Sequence, residues 1–370
     1  MDKEEKNNSL VVWNGMVGSG LSGGDKVTQK LIESKNMQFD LLTSKNTINI
    51  LKIKNKGSIY LTEYIKKGNI FYLAFFYLFR IIQSMFYSLG SDKNYKTIIS
   101  SSPFIFDVLP SALFNSKNKV VFLFHVIPQR ESSSFSSGVR YTLANIERKM
   151  SYFIIRKKFD LIFTGNVIEK KKLRKIFPKI QICVVDAGLE VNKLDKFPAE
   201  KKDKNLAFFV GRIVRQKGVF DLVEIIEGIS KTNKNIKLII AGEGPDSQEL
   251  IETIKRNKLQ DKIKCIGPIS DKDKIRLLKQ SSYFFFPSYE EGWGIALAEA
   301  LYCNDLCFCY ELPHYKSIFG DFPVYVKKGD ISDFVMKFKE NKYKKVKKEQ
   351  KSFIKKYDED KVIKEAAKFI

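Results

Sequence analysis

Short apolar runs alternating with helical stretches recur in two series along this chain, and that rhythm constrains the fold more than any one motif. In the first series the runs are Leu10–Trp13, Tyr95–Ser100, Lys119–His125, Phe159–Phe163 and Ile180–Val185. Helical stretches fall between them at Asp25–Glu33, Phe104–Phe114 and Val139–Lys157. The second series comprises Leu206–Val210, Ile236–Ala241, Ile263–Ile266, Tyr283–Pro287 and Leu306–Tyr310, with a Lys-rich helical tail over Val335–Ile370. Strands that are apolar on both faces must be covered on both faces, which is how parallel sheets flanked by helices are built.

The polar stretch NKLDKFPAEKKDKN, Asn192–Asn205, separates the two series and reads as a linker and hinge. The expected fold class is therefore α/β, with two Rossmann-like domains facing each other across a cleft. The expected domains are 1–195 and 196–352, with 353–370 a C-terminal helix returning to the first. A length of 370 residues agrees with two domains.

Lys and Arg number 65 against 42 Asp and Glu, a formal charge of +23. Such a surface attracts nucleic acid, anionic headgroups or phosphorylated substrates without choosing among them. A hydrophobic content of 44% excludes wholesale disorder. Five Cys with no CxxC pair exclude a disulfide scaffold and argue against structural zinc. The opening MDKEEKNNSL is not a secretory signal, so a reduced, cytoplasmic protein is expected.

Ile70–Leu89 carries a single charge, Arg80, and is long enough to span a bilayer. Spanning would cut a βαβ domain in two. The reading is a buried or amphipathic helix making peripheral contact with an anionic membrane, on the inner face of the cell membrane, helped by Lys66 and Lys67.

Three segments carry chemistry. FFVGRIVRQKG, Phe208–Gly218, places Gly211 and Arg212 after a strand and Lys217 before a helix. An Arg fork and a Lys point charge there can clamp a diphosphate from two directions. LIIAGEGP, Leu238–Pro245, is a second strand ending in a glycine-rich turn. FFFPSYEEGWGIALAEAL, Phe284–Leu301, sets Glu291 and Glu299 on either side of Gly-Trp-Gly, before an Ala-rich helix. If most of that interval is helical, the two carboxylates stand roughly 12 Å apart along the axis. That suits hydroxyls at both ends of a nucleotide-diphosphate sugar, with glycine amides and a helix N-terminus toward the phosphates.

In order and spacing these segments resemble family 4 glycosyltransferases. The resemblance is specific from Leu206 to about Gly320 and looser before that. It implies the GT-B fold and a retaining, metal-independent hexosyltransferase that moves a hexose to a hydroxyl of a glycan or lipid-linked acceptor. The donor would be a UDP- or GDP-linked sugar, with no further cofactor and no metal site. By this resemblance Arg212 and Lys217 bind the diphosphate, and Glu291 binds the sugar hydroxyls. Gly292, Trp293, Gly294 and Ile295 lie near sugar and phosphate, Glu299 holds the ribose, and Gly211 and Ile266 line the nucleotide. In the first domain the resemblance places Gly23 and Gly24 against the donor phosphate and His125 on the donor sugar, and the acceptor binds that domain.

The sequence departs from the family pattern where Ala187 and Glu190 replace an expected Asn and Asp, and where Cys303–Tyr310 lacks a Gly-x-Pro-Val. Cys307 and Cys309 read as small core residues, and His314 as structural. Asp271-Lys-Asp273 and Asp358-Glu-Asp360 suit helix starts better than metal sites. The competing readings are a basic nucleic-acid-binding protein, a sugar-nucleotide epimerase of the same architecture, and an inactive scaffold. The aromatic residues sit in apolar runs rather than among clustered cations, which disfavours nucleic acid.

Overall fold

A computed structural model describes residues 9–14, 23–34, 39–50, 56–62, 70–124, 135–198, 200–303, 305–341 and 348–370. The chain divides into two compact units, residues 1–187 with 362–370, and residues 188–361.

The first unit holds a seven-stranded sheet among the described residues. Its strands are β1 (Ser9–Trp13), β2 (Phe39–Ser44), β3 (Lys56–Thr62), β4 (Asn94–Ser100), β5 (Asn115–Leu123), β6 (Leu161–Thr164) and β7 (Gln181–Val184). They run parallel in the order β3-β2-β1-β4-β5-β6-β7. The apolar runs become strands because both of their faces are covered: Leu10, Val12, Ile98, Val121, Ile162 and Phe163 are fully buried. β2 and β3 were not anticipated. Both are strands of mixed polarity, FDLLTS and KGSIYLT, which lack a continuous apolar run.

The helix Ile105–Leu113 packs on β1, β4 and β5, and the helices Ile70–Leu89 and Phe135–Lys158 pack on it from either side. A buried polar cluster fastens this layer. Asn14 N donates to Asp107 Oδ1 at 2.7 Å, Ser102 Oγ donates to Asp107 Oδ2 at 2.6 Å, and Asn14 Nδ2 donates to Ser84 Oγ at 3.2 Å. Arg80 is turned inward and donates to Asn14 O at 2.5 Å. Ile70–Leu89 is one helix of 20 residues, and among the described residues no helix is long and apolar enough to cross a membrane.

The second unit repeats the plan with β8 (Asp203–Val210), β9 (Lys237–Ala241), β10 (Ile263–Cys265), β11 (Ser281–Phe286), β12 (Leu306–Tyr310) and β13 (Val324–Val326). They too are parallel, in the order β10-β9-β8-β11-β12-β13. One face is filled by aromatic rings: Phe285 meets Phe308, Phe334 and Phe338 edge-on at centroid distances of 5.7, 5.3 and 5.7 Å. Cys307 and Cys309 are fully buried in β12 and, alternating with Phe308, lie on the opposite face of the strand.

The stretch Asn192–Asn205 is not an independent linker. Val191–Asp195 is helical with Val191 and Leu194 buried, and β8 has begun by Asp203. Its charged residues, which suggest a solvated segment, are used in contacts instead. Tyr302 OH donates to Asp195 Oδ2 at 2.7 Å and Lys351 Nζ sits 2.9 Å from Asp195 Oδ1. The compact units accordingly divide at Ala187/Gly188. The tail is broken into the helices Ile331–Asn341, Glu349–Ile354 and Glu359–Ala366.

Candidate active site in the second unit

The order of the second sheet reverses at β8. The chain winds outward through β9 and β10 on one side and through β11, β12 and β13 on the other. β8 and β11 are therefore the neighbours at the switch point, and in open parallel sheets ligands bind outside the C-terminal ends of the strands there. Phe208–Gly218 and Phe284–Leu301 run into the loops after β8 and β11, and Leu238–Pro245 into the loop after the neighbouring β9.

After β8, Gly211 N donates to Ala241 O at 3.1 Å and the chain turns through Arg215–Lys217. The turn ends at Gly218, with φ of 66°, where an added Cβ would lie 2.0 Å from Pro287 O. Only glycine permits that approach between the loop after β8 and the end of β11. Tyr289 N donates to Gln216 O at 2.8 Å and closes the junction.

Across this junction Lys217 Nζ lies 2.6 Å from Glu291 Oε1, with the side chains 24% and 14% exposed. Ser288 Oγ, buried, donates to the same oxygen at 2.9 Å. The carboxylate is thus held from two sides, by a cation and a hydroxyl on separate loop positions.

Gly294, with φ of 100°, caps the helix Ile295–Tyr302. The Trp293 ring is buried and packs edge-on against Phe319 and Tyr357 at 5.4 and 4.9 Å. That ring anchors the loop, so the backbone of Gly292–Ile295 has a fixed place at the helix N-terminus, where peptide dipoles favour anions. On the same helix Glu299 Oε1 meets Lys274 Nζ at 2.6 Å, with side chains 13% and 19% exposed. The interval between Glu291 and Glu299 is helical only from Ile295, so the condition that most of it be helical, on which the expected spacing rests, does not hold. The first part of it is the loop that carries Gly-Trp-Gly.

The remaining loops form one hydrogen-bonded rim. Ile213 N donates to Glu243 O at 3.0 Å, Gly242 N to Gly267 O at 2.8 Å, and Ile266 N to Ile240 O at 3.0 Å. Gly211, the GEGP turn and Ile266 are tied together in this way. Arg212 is exposed on the same lip and makes no ion pair among the described residues, whereas Arg215 is paired with Glu249.

Of the sequence-derived candidates, this unit brings together Gly211, Arg212, Lys217, Ile266, Glu291, Gly292, Trp293, Gly294, Ile295 and Glu299 around the ends of adjacent strands. Gly23 and Gly24 begin the helix Gly23–Ser34 in the first unit, and His125 lies outside the described residues. Ser288 and Lys274 were not foreseen. Ser288 is a hydroxyl three positions before Glu291, a weak signal in any loop. Lys274 had none, because its partner is 25 positions away.

Asp273 takes part in the start of the helix Asp271–Gln280, where its N donates to Ser270 Oγ at 3.1 Å. Asp271 pairs with Lys193 and Lys274 at 2.5 and 3.7 Å. Asp360 N donates to Asp358 Oδ1 at 3.1 Å beside the last long helix. His314 is buried against the Tyr315 ring.

Residues 190–360 match the family model for glycosyl transferases group 1. Among curated proteins, the chain is 28% identical over 192 residues to the capsular polysaccharide biosynthesis glycosyltransferase CapH of Staphylococcus aureus, covering 46% of this chain and 53% of that protein. It is 25% identical over 137 residues to the phosphatidylinositol N-acetylglucosaminyltransferase GPI3 subunit of Saccharomyces cerevisiae, covering 37% and 30% respectively. The chain thus spans about a third to a half of the length of these relatives.

Among solved structures, sucrose-phosphate synthase from Thermosynechococcus elongatus superposes with a TM-score of 0.72 at 14% identity over 98% of both chains. Anabaena HepE, solved in complex with UDP and glucose, superposes with a TM-score of 0.70 at 12% identity over 98% of both chains. At such identities the likeness establishes the fold, which is GT-B. Together with the paired carboxylates and cations at the ends of β8 and β11, the match places the likeness to group 1 glycosyl transferases in residues 190–360 of a chain with the GT-B fold.

Proposed function

We propose that this protein is a retaining, metal-independent glycosyltransferase that moves a hexose from a nucleotide-diphosphate sugar to a hydroxyl of a glycan or lipid-linked acceptor. The observation that carries the reading is the Lys217–Glu291 pair, set across the strand-order reversal with Arg212 on the adjoining lip and Glu299 on the helix that follows the Glu291 loop.

The chemistry follows from charge. As the glycosidic bond breaks, the leaving diphosphate gains negative charge. Arg212 and Lys217 stabilise it, together with the N-terminus of Ile295–Tyr302, as preorganised electrostatic catalysis. Lys217 exchanges Glu291 for the diphosphate, and Ser288 keeps the freed carboxylate in place to accept hydrogen bonds from the sugar hydroxyls. Lys274 holds one oxygen of Glu299 and leaves the other for the ribose hydroxyls. The acceptor hydroxyl attacks on the face the diphosphate leaves, and the departing phosphate takes its proton.

The UDP complex of the Anabaena neighbour supports UDP over GDP as the carrier. The capsular and phosphatidylinositol relatives support a glycan or lipid-linked acceptor. Contact of the Ile70–Leu89 helix with an anionic membrane at the cytoplasmic side belongs to the lipid-linked case. A panel of UDP- and GDP-sugars tests the proposal, with binding read as a rise in melting temperature and turnover as released nucleoside diphosphate. At least one donor must do both. A panel in which no donor binds or turns over refutes it.

A further inference from the structure

The helix Ile70–Leu89 exposes Phe75, Leu78, Phe79, Ile82, Phe86 and Leu89, with Phe75 62%, Phe86 73% and Leu89 70% accessible. Their spacing of three and four residues places them along one stripe of the helix. The helix Phe135–Lys158 exposes a second stripe at the same spacing, Leu143, Ile146, Met150 and Phe153. Both helices pack on Ile105–Leu113, and Tyr77 OH of one donates to Glu147 Oε1 of the other. Phe104, which precedes Ile105–Leu113, is also exposed and stacks on Phe106.

The disposition of charge around these stripes is as telling as the stripes themselves. Arg80 is the single charged residue of Ile70–Leu89, and it is buried against Asn14 O. Glu147 is the single carboxylate on either helix, and it is turned inward to Tyr77 OH and Ile105 N. Among the described residues of the two helices the exposed charged side chains are therefore all cations, beside the apolar stripes and a few neutral polar groups such as Thr142. Lys149, Arg156, Lys157 and Lys158 are exposed, and Lys157 Nζ sits 4.3 Å over the Phe153 ring.

From this we infer that the first unit lies on an anionic lipid surface through the paired stripes of Ile70–Leu89 and Phe135–Lys158, with the apolar side chains in the acyl boundary and the lysines at the headgroups. An apolar face flanked by cations and free of carboxylates is what an anionic bilayer complements. A second copy of a chain with net charge +23 would bring like charges together at the same face. The helix lies in the interface rather than through it, because among the described residues no helix is long and apolar enough to cross. The inference extends beyond the Ile70–Leu89 helix considered above and does not depend on catalysis.

The test is flotation of the full chain with vesicles of phosphatidylcholine, alone or with phosphatidylglycerol, at low and high salt. The protein is expected to float with the anionic vesicles, about tenfold less with neutral ones, and less at high salt. The double variant Phe86→Glu with Phe153→Glu should lose at least tenfold in flotation while keeping its melting temperature, because both side chains are exposed. A second pair, Leu78→Glu with Met150→Glu, should behave alike and guards against a local fold defect. Wild type that stays in solution with anionic vesicles overturns the inference, as do variants that float equally well. So does a lipid-free dimer, seen by light scattering, that the same variants dissociate. Donor turnover measured in parallel keeps this outcome separate from the fate of the proposed reaction.

Discussion

At the scale of single residues, the site depends on charges that are paired before any substrate arrives. Half-buried pairs such as Lys217–Glu291 and Lys274–Glu299 contribute modestly to stability, typically about 1 kcal/mol or less. Their use lies in fixing side chains whose freedom would otherwise have to be lost on binding. A deeper charge sits in the first unit. Burial lifts the Asp107 carboxyl to about 7, against the lowering effect of Ser102, Asn14, Ser101 and Arg80. The native state therefore holds a proton that the unfolded chain, with an ordinary carboxyl near 4, has released. Its contribution to stability is full below about pH 4 and is lost as pH rises through 7. Asp107→Asn does not titrate. Its deficit relative to wild type should shrink by roughly 2 kcal/mol between pH 5 and pH 8 in urea denaturation. An equal deficit at both pH values contradicts the assignment.

At the scale of elements, the loop between β8 and the following helix is shaped by one backbone position. Gly218→Ala places a Cβ against Pro287 O and forces an unfavourable φ, so a loss of more than about 2 kcal/mol in denaturation is expected, along with loss of donor binding. Unchanged stability would mean that the β8 and β11 loops are not joined as described. Lys274, on the helix Asp271–Gln280, acts through Glu299. Lys274→Met should raise KM for the donor about tenfold with kcat within about threefold, and Lys274→Arg should restore most of it. An equal fall in both parameters contradicts a positioning role.

What the sequence revealed follows the same division. β8, β9, β11 and β12 were legible because burial on both faces demands unbroken apolar runs, and the glycine-rich turns after them were legible because close backbone approach demands glycine. β2 and β3 were not, since polar residues interrupt their apolar runs, as Asp40 does in β2, where it is paired with Lys93 at 2.7 Å. The Val191–Asp195 helix was missed because its lysines and aspartate look solvated until their partners, far along the chain, are known. Ser288 and Lys274 escaped for that reason also. Motifs report residues that meet a ligand, and carry little about those that hold them.

At the scale of the whole molecule, the two units have separate sheets and separate cores. If the donor is held by the second unit, saturating nucleotide at about a hundred times Kd stabilises that unit by about 2.7 kcal/mol and leaves the first nearly unchanged. Calorimetry of the full chain should then show the nucleotide moving the transition that belongs to residues 188–361 in preference to the other. A shift confined to the transition of the first unit contradicts the placement of the donor site.

The most direct test of the central claim is the turnover of the best donor by wild type beside Glu291→Gln and Arg212→Ala. The paired charges at the ends of β8 and β11 predict a fall in kcat/KM of about a hundredfold or more for each, with melting temperatures nearly unchanged. Turnover equal to wild type in both variants would show that the chemistry is carried elsewhere.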